Sequence, residues 1–406
     1  MSNCNKITAF DSRNIGLRNE NLVLNILRQQ GELSQSQICR LAGLSSSTAS
    51  YIIGRLREKK LIVESQGQSN SRGAKPVMIS VNPLGRFVIG VEINPTDILI
   101  GLFDFNCSLI ESIRDTFGLD RSPEHIVSLI EIAIRGILSK HNVADSMLTG
   151  IGLAVSGSIS KSGVVELSSP MGWKSVPLQN MLQNRFISLV SLHTTRVRLL
   201  AEYIIDPSLS SKNILYINVG NGVGGHVVVD GHLIHGYENR SGEIGHIVLD
   251  PNGPICGCGH RGCLEAYISG PALAKKIRDE VTAAGSVLDA MTSGSDLPGE
   301  IIAKWGLALK QNDPYAIKLR DYVGQKLSQV IAIAINCYDP EIIMLAGYVC
   351  RQCTDYFVNV IKSRIDSDVF DGRSRNINII SARAGDMSLI LGAASAVLQN
   401  EIEFSP

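Results

Sequence analysis

The sequence has no uncharged apolar run of membrane-spanning length, and it has no N-terminal basic stretch followed by an apolar core and a cleavage site. A bilayer-crossing helix needs about 20 mostly apolar residues, and a secretory signal needs the second pattern. We therefore expect a cytoplasmic protein that neither spans a membrane nor is secreted. An overall charge excess is also lacking, since 38 Lys and Arg balance 38 Asp and Glu.

Cysteines are present in an odd number, nine, and three of them fall within residues 256–263. An odd and clustered set is atypical of a disulfide framework and favours a reducing compartment. The remaining six are expected to stay thiols, most of them as packing residues: Cys4, Cys39, Cys107, Cys337, Cys350 and Cys353.

The densest group of possible metal ligands is His246, Cys256, Cys258 and Cys263, which lie within eighteen residues. A set of three cysteines and one histidine suits tetrahedral zinc. Four protein ligands leave no position for an activated water, so the spacing predicts a structural zinc site. The alternative is a group of free buried cysteines, which the compact, glycine-rich spacing disfavours.

Two carboxylates flank this group, Glu243 before the histidine and Glu265 after the last cysteine. A loop held by a metal would fix their acceptor oxygens, which suits a polyhydroxylated ligand. The spacing alone leaves a second interpretation open, in which both side chains are solvated or support the metal ligands.

The first 80 residues form a basic segment, with eleven Lys or Arg against five Asp or Glu, which leaves +6 there and −6 in the remainder. Apolar residues within 19–30 recur at helical spacing, and Gly31 ends that helix. Two further short amphipathic segments meet at Gly43, which is typical of a helix-turn-helix. Residues 61–81 would follow as a β-hairpin wing.

The second helix of this pair begins with short polar side chains, which suit the major groove of DNA. Cations on the wing would contact phosphates or an adjacent minor groove. The pattern predicts DNA contacts at Ser46, Ser47, Thr48, Ser50, Tyr51, Arg55, Arg72 and Lys75. A winged helix used for dimerisation or protein docking is the alternative, and the positive charge disfavours it.

Strands and helices alternate after Pro83. A first set comprises strands at 87–93, 97–104 and 149–155 with a helix at 123–141, and a second set begins with a strand at 214–220. Long helices within 314–336 would pack in the second half. Their apolar stripe fits either a core or a subunit interface: Val323, Leu327, Val330, Ile331 and Ile335.

Two motifs resemble the signature of the ROK family of repressors and sugar kinases: Gly-Glu-Ile-Gly-His at 242–246 and Cys-Gly-Cys-Gly-His-Arg-Gly-Cys-Leu-Glu at 256–265. The similarity extends from residue 13 to about residue 398. It implies an α/β fold, with the winged helix-turn-helix followed by a two-lobed actin-like ATPase or sugar-kinase (ribonuclease H-like) fold. It also implies zinc at the four ligands above and sugar contacts from Glu243, His246 and Glu265.

The kinase motifs of that family are degenerate in this sequence. The family's Asp-x-Gly-Gly-Thr phosphate turn corresponds to Glu-Ile-Asn-Pro-Thr at 92–96, where proline removes a donor and two glycines are lost. The second phosphate turn is only partly retained at 220–226. Tyr348 follows Gly347, where a nucleotide would approach in a kinase.

The catalytic base is also replaced. In kinases of the family an Asn-Asp-x-Asn segment precedes a helix that ends in Ala-Glu, and its Asp accepts the sugar proton. Counting back from residues 201–202 places that pair at His193 and Thr194. Threonine cannot act as a carboxylate base. We expect no catalytic residue and place His193 among the sugar contacts.

These features predict a sugar-responsive transcriptional regulator, a repressor of carbohydrate uptake or catabolic genes that a sugar or sugar derivative releases. Its partners would be double-stranded operator DNA, the sugar and a second copy of the chain, as a homodimer or higher homo-oligomer. Activation instead of repression stays open. The alternatives are an ATP-dependent sugar kinase and a regulator that a protein partner controls.

The predicted domains are a winged helix-turn-helix at 1–82, a small α/β lobe at 83–190 and a large lobe at 191–385. A C-terminal helix at 386–400 would complete the small lobe. The large lobe would carry the zinc loop and the oligomerisation helices.

Overall fold

The described residues form two compact units: those within 12–204 together with 387–400, and those within 205–386. The computed structural model describes residues 12–66, 76–160, 162–168, 170–186, 189–237, 241–292 and 297–400. No helix within these ranges has the length and apolar content that crossing a membrane requires.

The first unit begins with a winged helix-turn-helix. Its elements are α1 (Ser12–Gln30), β1 (Leu33–Ser34), α2 (Gln35–Ala42), α3 (Ser46–Glu58), β2 (Ile62–Gln66) and β3 (Val77–Val81). A capping box between Ser34 and Gln37 starts α2, and Gly43 ends it with φ 65°. Strand β3 pairs with both β1 and β2, which forms the wing. Helix α1 begins seven residues before its predicted start, because apolar spacing marks only its buried portion.

An α/β domain follows in the same unit. It comprises β4 (Phe87–Ile93), β5 (Asp97–Asp104), β6 (Leu109–Thr116), α4 (Pro123–Lys140), β7 (Leu148–Val155), β8 (Ser158–Ile159), β9 (Val165–Ser168), β10 (Trp173–Val176), α5 (Leu178–Gln183), β11 (Leu189–His193) and α6 (Thr194–Ile205). The main sheet has the order β11-β7-β4-β5-β6, with β11, β7 and β4 parallel. Buried apolar side chains of α4 cover one face of this sheet.

The second unit contains another five-stranded sheet, with the order β14-β13-β12-β15-β16. Its elements are β12 (Ile214–Val219), β13 (Val223–Val229), β14 (His232–Leu233), α7 (Glu265–Ile268), α8 (Gly270–Ala284), α9 (Val287–Thr292), α10 (Pro298–Lys310), α11 (Pro314–Tyr338), β15 (Ile342–Ala346), α12 (Thr354–Asp368) and β16 (Asn378–Ser381). Strands β12, β15 and β16 are parallel. The predicted apolar stripe of α11 is buried in the core of this unit, so it is core and not a subunit interface.

The C-terminal helix α13 (Ser388–Asn400) returns to the first unit and packs on β4 and β7. Its backbone lies directly on the strands: a Cβ added at Gly90 would lie 1.9 Å from the Ile390 carbonyl oxygen, and one at Gly152 would lie 1.8 Å from that of Ala393. Only glycine permits such an approach at these two positions.

The winged helix-turn-helix is joined to the α/β domain without an open linker. Arg28 of α1 donates from Nε to the Phe105 carbonyl (3.1 Å), and its guanidinium carbon lies 4.2 Å from the centroid of that ring. The Phe105 amide donates to the Pro83 carbonyl (2.9 Å). Buried side chains of α1, α3, the main sheet and α13 form one continuous cluster. The two domains therefore share a hydrophobic core.

The division into units differs from the predicted boundary at residue 190. Strand β11 pairs with β7 along 189–193, and the first unit continues through α6 to residue 204. The apolar spacing of a strand does not reveal its partner, so the sequence could not assign β11 to the first sheet.

We predict that Gly152→Ala destabilises the protein by at least about 2 kcal/mol, because the new methyl group must displace either a strand or the α13 backbone. Gly136→Ala in α4 is the matched control. A Cβ there meets nothing within 4 Å, so we expect it to stabilise α4 by about 0.5–1 kcal/mol. Urea titrations followed by circular dichroism measure both; equal midpoints would contradict the close seating of α13.

Candidate functional site

The second unit brings the four predicted metal ligands together. The ligand atoms of His246, Cys256, Cys258 and Cys263 all lie within 4.8 Å of one another. The Cys256 sulfur is 3.7 Å from His246 Nδ1, and the Cys258 and Cys263 sulfurs are 3.8 Å apart. Sulfur ligands about 2.3 Å from a tetrahedral ion lie roughly 3.8 Å apart. The group can hold a metal ion.

Backbone contacts shape the ligand loop, residues 246–263, which carries the four predicted metal ligands. The Cys256 amide donates to the His260 carbonyl (2.7 Å), and Val248 forms an antiparallel bridge with Cys263. Gly262 has φ 72°, and a Cβ there would lie 1.6 Å from the Asp250 carbonyl oxygen. Glycine is therefore required at this turn.

The thiols of the loop differ in acidity. Burial raises the pKa of Cys256 to about 12. Burial also acts to raise the pKa of Cys258, but hydrogen bonds from the backbone and ring of His260 and from the other two thiols outweigh it and lower that pKa to about 6. One thiolate thus forms near neutral pH, and a metal ion would release the remaining protons as it bound. The role of His260 was missed in the sequence, although it lies two residues from a predicted ligand.

Glu265 links the ligand loop to the glycine turn between β12 and β13. Its Oε2 accepts the Val223 amide (2.9 Å), and its Oε1 lies 3.7 Å from the Cys256 sulfur. A Cβ at Gly222 would lie 2.7 Å from Glu265 Oε2, so the turn needs glycine to admit the carboxylate. A backbone donor of the partly retained phosphate turn is thereby occupied.

Glu243 lies beside His246, with its Oε2 3.9 Å from His246 Nε2. Burial raises the pKa of Glu243; His246 opposes this effect, and the charge of Glu265 adds to it. Since Nδ1 faces the cysteines, Nε2 is the ring nitrogen turned toward the carboxylate. A histidine that binds a metal through one nitrogen is commonly oriented by a carboxylate at the other. Three of the four predicted sugar contacts, Glu243, His246 and Glu265, are therefore together.

Tyr348 fills the space at the carboxyl ends of β12 and β15. Its hydroxyl donates to Asn221 Oδ1 (2.7 Å), and a Cβ at Gly270 would lie 1.9 Å from that hydroxyl. Gly347, with φ 92°, directs the chain into this position. Burial raises the pKa of Tyr348 to about 12. The tyrosine bridges the glycine turn and the start of α8, a link that the sequence pattern did not reveal.

In the first unit, the position of the first phosphate turn holds a buried carboxyl. Glu92, at the end of β4, is 7% exposed, and burial raises its pKa while the nearby charge of Arg198 opposes that shift. The turn that follows is closed by the Asn94 amide, which donates to the Asp97 carbonyl (2.9 Å). His193 ends β11 and Thr194 begins α6.

The predicted DNA-contacting face is the start of α3. Ser45 caps the helix by accepting the Thr48 amide (3.2 Å), and the hydroxyls of Ser47 and Thr48 lie within 3.0 Å of the Ser45 hydroxyl. Ser46 and Ser50 are exposed, as is Tyr51 at 65%. The helix thus presents short hydroxyls and one phenol to solvent.

Arg55 faces inward as well as outward. Its Nε lies 2.8 Å from the Glu20 carboxylate of α1, which also contacts Lys59 (2.5 Å). Glu20 is only 3% exposed. Arg55 thus attaches α3 to α1. Glu20 was not predicted from the sequence, although it shares the buried helical spacing of Val23, Leu24 and Leu27. The wing cations Arg72 and Lys75 lie outside the described residues.

Comparisons with known proteins cover both parts of the chain. The model of the ROK family matches residues 88–400, and the model of the MarR family matches residues 18–72. The xylose repressor of Bacillus spizizenii is 25% identical over 396 residues, 95% of this chain and 96% of the repressor. The glucokinase of Thermotoga maritima is 29% identical over 315 residues, 76% of this chain and 96% of the kinase.

A solved structure shares the whole fold. The crystal structure of a ROK family transcriptional regulator, a homologue of the Escherichia coli Mlc protein, superposes with a TM-score of 0.81 at 23% identity and covers 96% of this chain and 98% of that one. The architecture is therefore a MarR-type winged helix-turn-helix followed by the actin-like sugar-kinase fold. Because the matching family model spans most of the sequence, the chain belongs to the ROK family.

Proposed function

We propose that this protein is a sugar-responsive transcriptional repressor of carbohydrate uptake or catabolic genes. One observation carries the proposal: a relative that matches nearly the whole chain, DNA-binding segment included, is named a xylose repressor. The glucokinase relative matches 76% of the chain, which is about the ROK segment alone. A cytoplasmic location follows from the proposal, since operator DNA lies there.

Binding to DNA would use the start of α3 in the major groove. The exposed hydroxyls of Ser46 and Ser50 and the phenol of Tyr51 would contact bases or phosphates. Arg55, held by Glu20, would fix the angle of α3 and reach phosphate with its free guanidinium edge. A homodimer would place two such helices on a pseudo-palindromic operator.

The metal centre would hold structural zinc. Three cysteines and one histidine at tetrahedral spacing suit zinc, which when bound would fix the loop without offering an open position. The loop would then keep Glu243 and Glu265 in place as acceptors for sugar hydroxyls, and His246 in place as a donor from its Nε2–H. His193 stays a predicted sugar contact.

Phosphoryl transfer is not part of the proposal. Thr194 stands where a kinase of the family has its base, Pro95 interrupts the first phosphate turn, and Tyr348 fills the region beside the second. These replacements favour a domain that binds its ligand without catalysing a reaction. Control by a protein partner instead of a sugar is the second candidate.

We predict that the purified protein carries about one zinc ion per chain, and that Cys258→Ser loses it and unfolds at lower temperature. Cys337→Ser is the matched control, because Cys337 is exposed and lies outside the ligand group. Elemental analysis and thermal melting measure both variants. A metal-free Cys258→Ser protein of unchanged stability would contradict the structural role.

We predict specific binding to DNA upstream of the protein's own gene, with release by one member of a panel of monosaccharides, disaccharides and their phosphates. Glu243→Ala should retain operator affinity and weaken the response to that sugar at least about tenfold, because it removes a half-buried acceptor. Glu166→Ala, exposed on β9, is the control. Gel-shift titration measures both properties.

Each outcome of that titration has a distinct meaning. Specific binding that no sugar alters would favour control by a protein partner. An unchanged sugar response in Glu243→Ala would remove that residue from the sugar site. An absence of specific DNA binding would overturn the repressor proposal.

We predict no sugar-dependent formation of ADP from ATP, since the base is absent and Tyr348 fills the space beside the glycine turn. A coupled spectrophotometric assay with the same sugar panel tests this, with a ROK glucokinase as the positive control. Turnover with any sugar would instead favour the kinase.

A further inference from the structure

Arg196 lies in the first turn of α6, directly after the carboxyl end of β11. Strand β11 is parallel to β7, and β7 is parallel to β4. In open α/β sheets, ligands bind outside the carboxyl ends of the parallel strands. The arginine is therefore at the edge of the first sheet where a ligand is expected.

The Arg196 guanidinium is partly buried without a counter-charge. Its Nε is buried and has no hydrogen-bond partner, and burial lowers the pKa of the group. Among the described residues, no carboxylate or carbonyl makes an ion pair or hydrogen bond with it.

Arg198, two residues along the same helix, has partners within the protein. Its Nη1 donates to the Ser388 hydroxyl at the start of α13, and its charge acts on the buried carboxyl of Glu92. The charges of Arg198 and Arg114 both act on the Glu92 carboxyl. The buried carboxyl of Glu92 thus already has a positive charge nearby, that of Arg198. Arg196 is a further positive charge at this edge of the sheet.

Burial of an unpaired cation costs free energy unless a partner compensates for it. A guanidinium matches carboxylate and phosphate oxygens with two parallel hydrogen bonds, a geometry that a neutral hydroxyl cannot supply. The unpaired guanidinium of Arg196 is therefore best matched by an anionic group.

The sequence motif supports the same conclusion. If His193 and Thr194 occupy the first two positions of the Asn-Asp-x-Asn segment, its last position falls at Arg196. A charged guanidinium group stands where the kinases of the family carry a neutral amide. This replacement changes the kind of ligand atom that the position can bind.

We propose that Arg196 binds an anionic ligand at this edge of the first sheet, and that this ligand is a sugar phosphate or a sugar acid and not a neutral sugar. The inference rests on the proposed function and specifies the ligand class. A phosphate ester and a carboxylate share the required chemistry, and the experiment separates them.

Calorimetric titration of the full-length protein compares three sets of probes: glucose and xylose, glucose 6-phosphate and xylose 5-phosphate, and glucuronate. We expect an anionic probe to bind at least about tenfold more tightly than its neutral parent, with an affinity that falls as salt is added. Preference for the phosphates or for glucuronate identifies the anionic group.

Arg196→Gln tests the residue itself. It should weaken the anionic probe about 10- to 100-fold and change the neutral parent by less than about threefold. Arg196→Lys keeps the charge and should lose less affinity for the anionic probe. Arg185→Gln is the matched control, because Arg185 is exposed and pairs with Glu131 on the surface of the same unit. If Arg196→Gln fails to fold, the comparison of probes on the unaltered protein decides whether the ligand is anionic.

Two results overturn the inference: a neutral sugar that binds as tightly as every anionic derivative, or Arg196→Gln with unchanged affinity for the anionic probe. If that neutral sugar also releases operator DNA, the repressor proposal stands and only the ligand class is wrong. Failure of the protein to bind its operator under any condition would instead overturn the repressor proposal.

Discussion

The seating of the α13 backbone on β4 and β7 is the constraint on which the first unit depends. At Gly90 and Gly152 the strands offer no side chain, so the helix carbonyls lie in direct contact with the sheet. This places the buried face of α13 in the same cluster as α1 and α3. The N-terminal and C-terminal parts of the sequence are thereby held in one core, and the orientation of the DNA-binding helices relative to this sheet is fixed by packing.

In the second unit, one carboxylate has a comparable role. Glu265 accepts a backbone hydrogen bond from the glycine turn and contacts a cysteine of the ligand loop, and Tyr348 closes the same turn from the other side. Donors and space at the carboxyl ends of β12 and β15 are thus occupied by the protein's own groups, and a short chain of contacts joins the ligand loop to the glycine turn.

Local patterns in the sequence predicted local features well. The helix-turn-helix followed from Gly43 and from apolar spacing on both sides, and the structure has both caps. The clustering of the four predicted metal ligands followed from the spacing at 246–263, because residues so close in sequence on a turn-rich loop can converge without help from the remainder of the chain. The alternation of strands and helices likewise predicted the two α/β parts, since each element is defined by its own periodicity.

Contacts between distant segments were decided only by the tertiary structure. The pairing of β11 with β7, the burial of the α11 stripe and the hydrogen bond from Tyr348 to Asn221 each join elements far apart in sequence. Periodicity reports that a face is buried but not what covers it. The sequence by itself therefore determined the elements, the group of residues that can hold a metal ion and the family resemblance. Only the fold decided which cations have partners within the described part of the protein. Arg55 has such a partner and Arg196 has none, because pairing depends on where side chains meet in space.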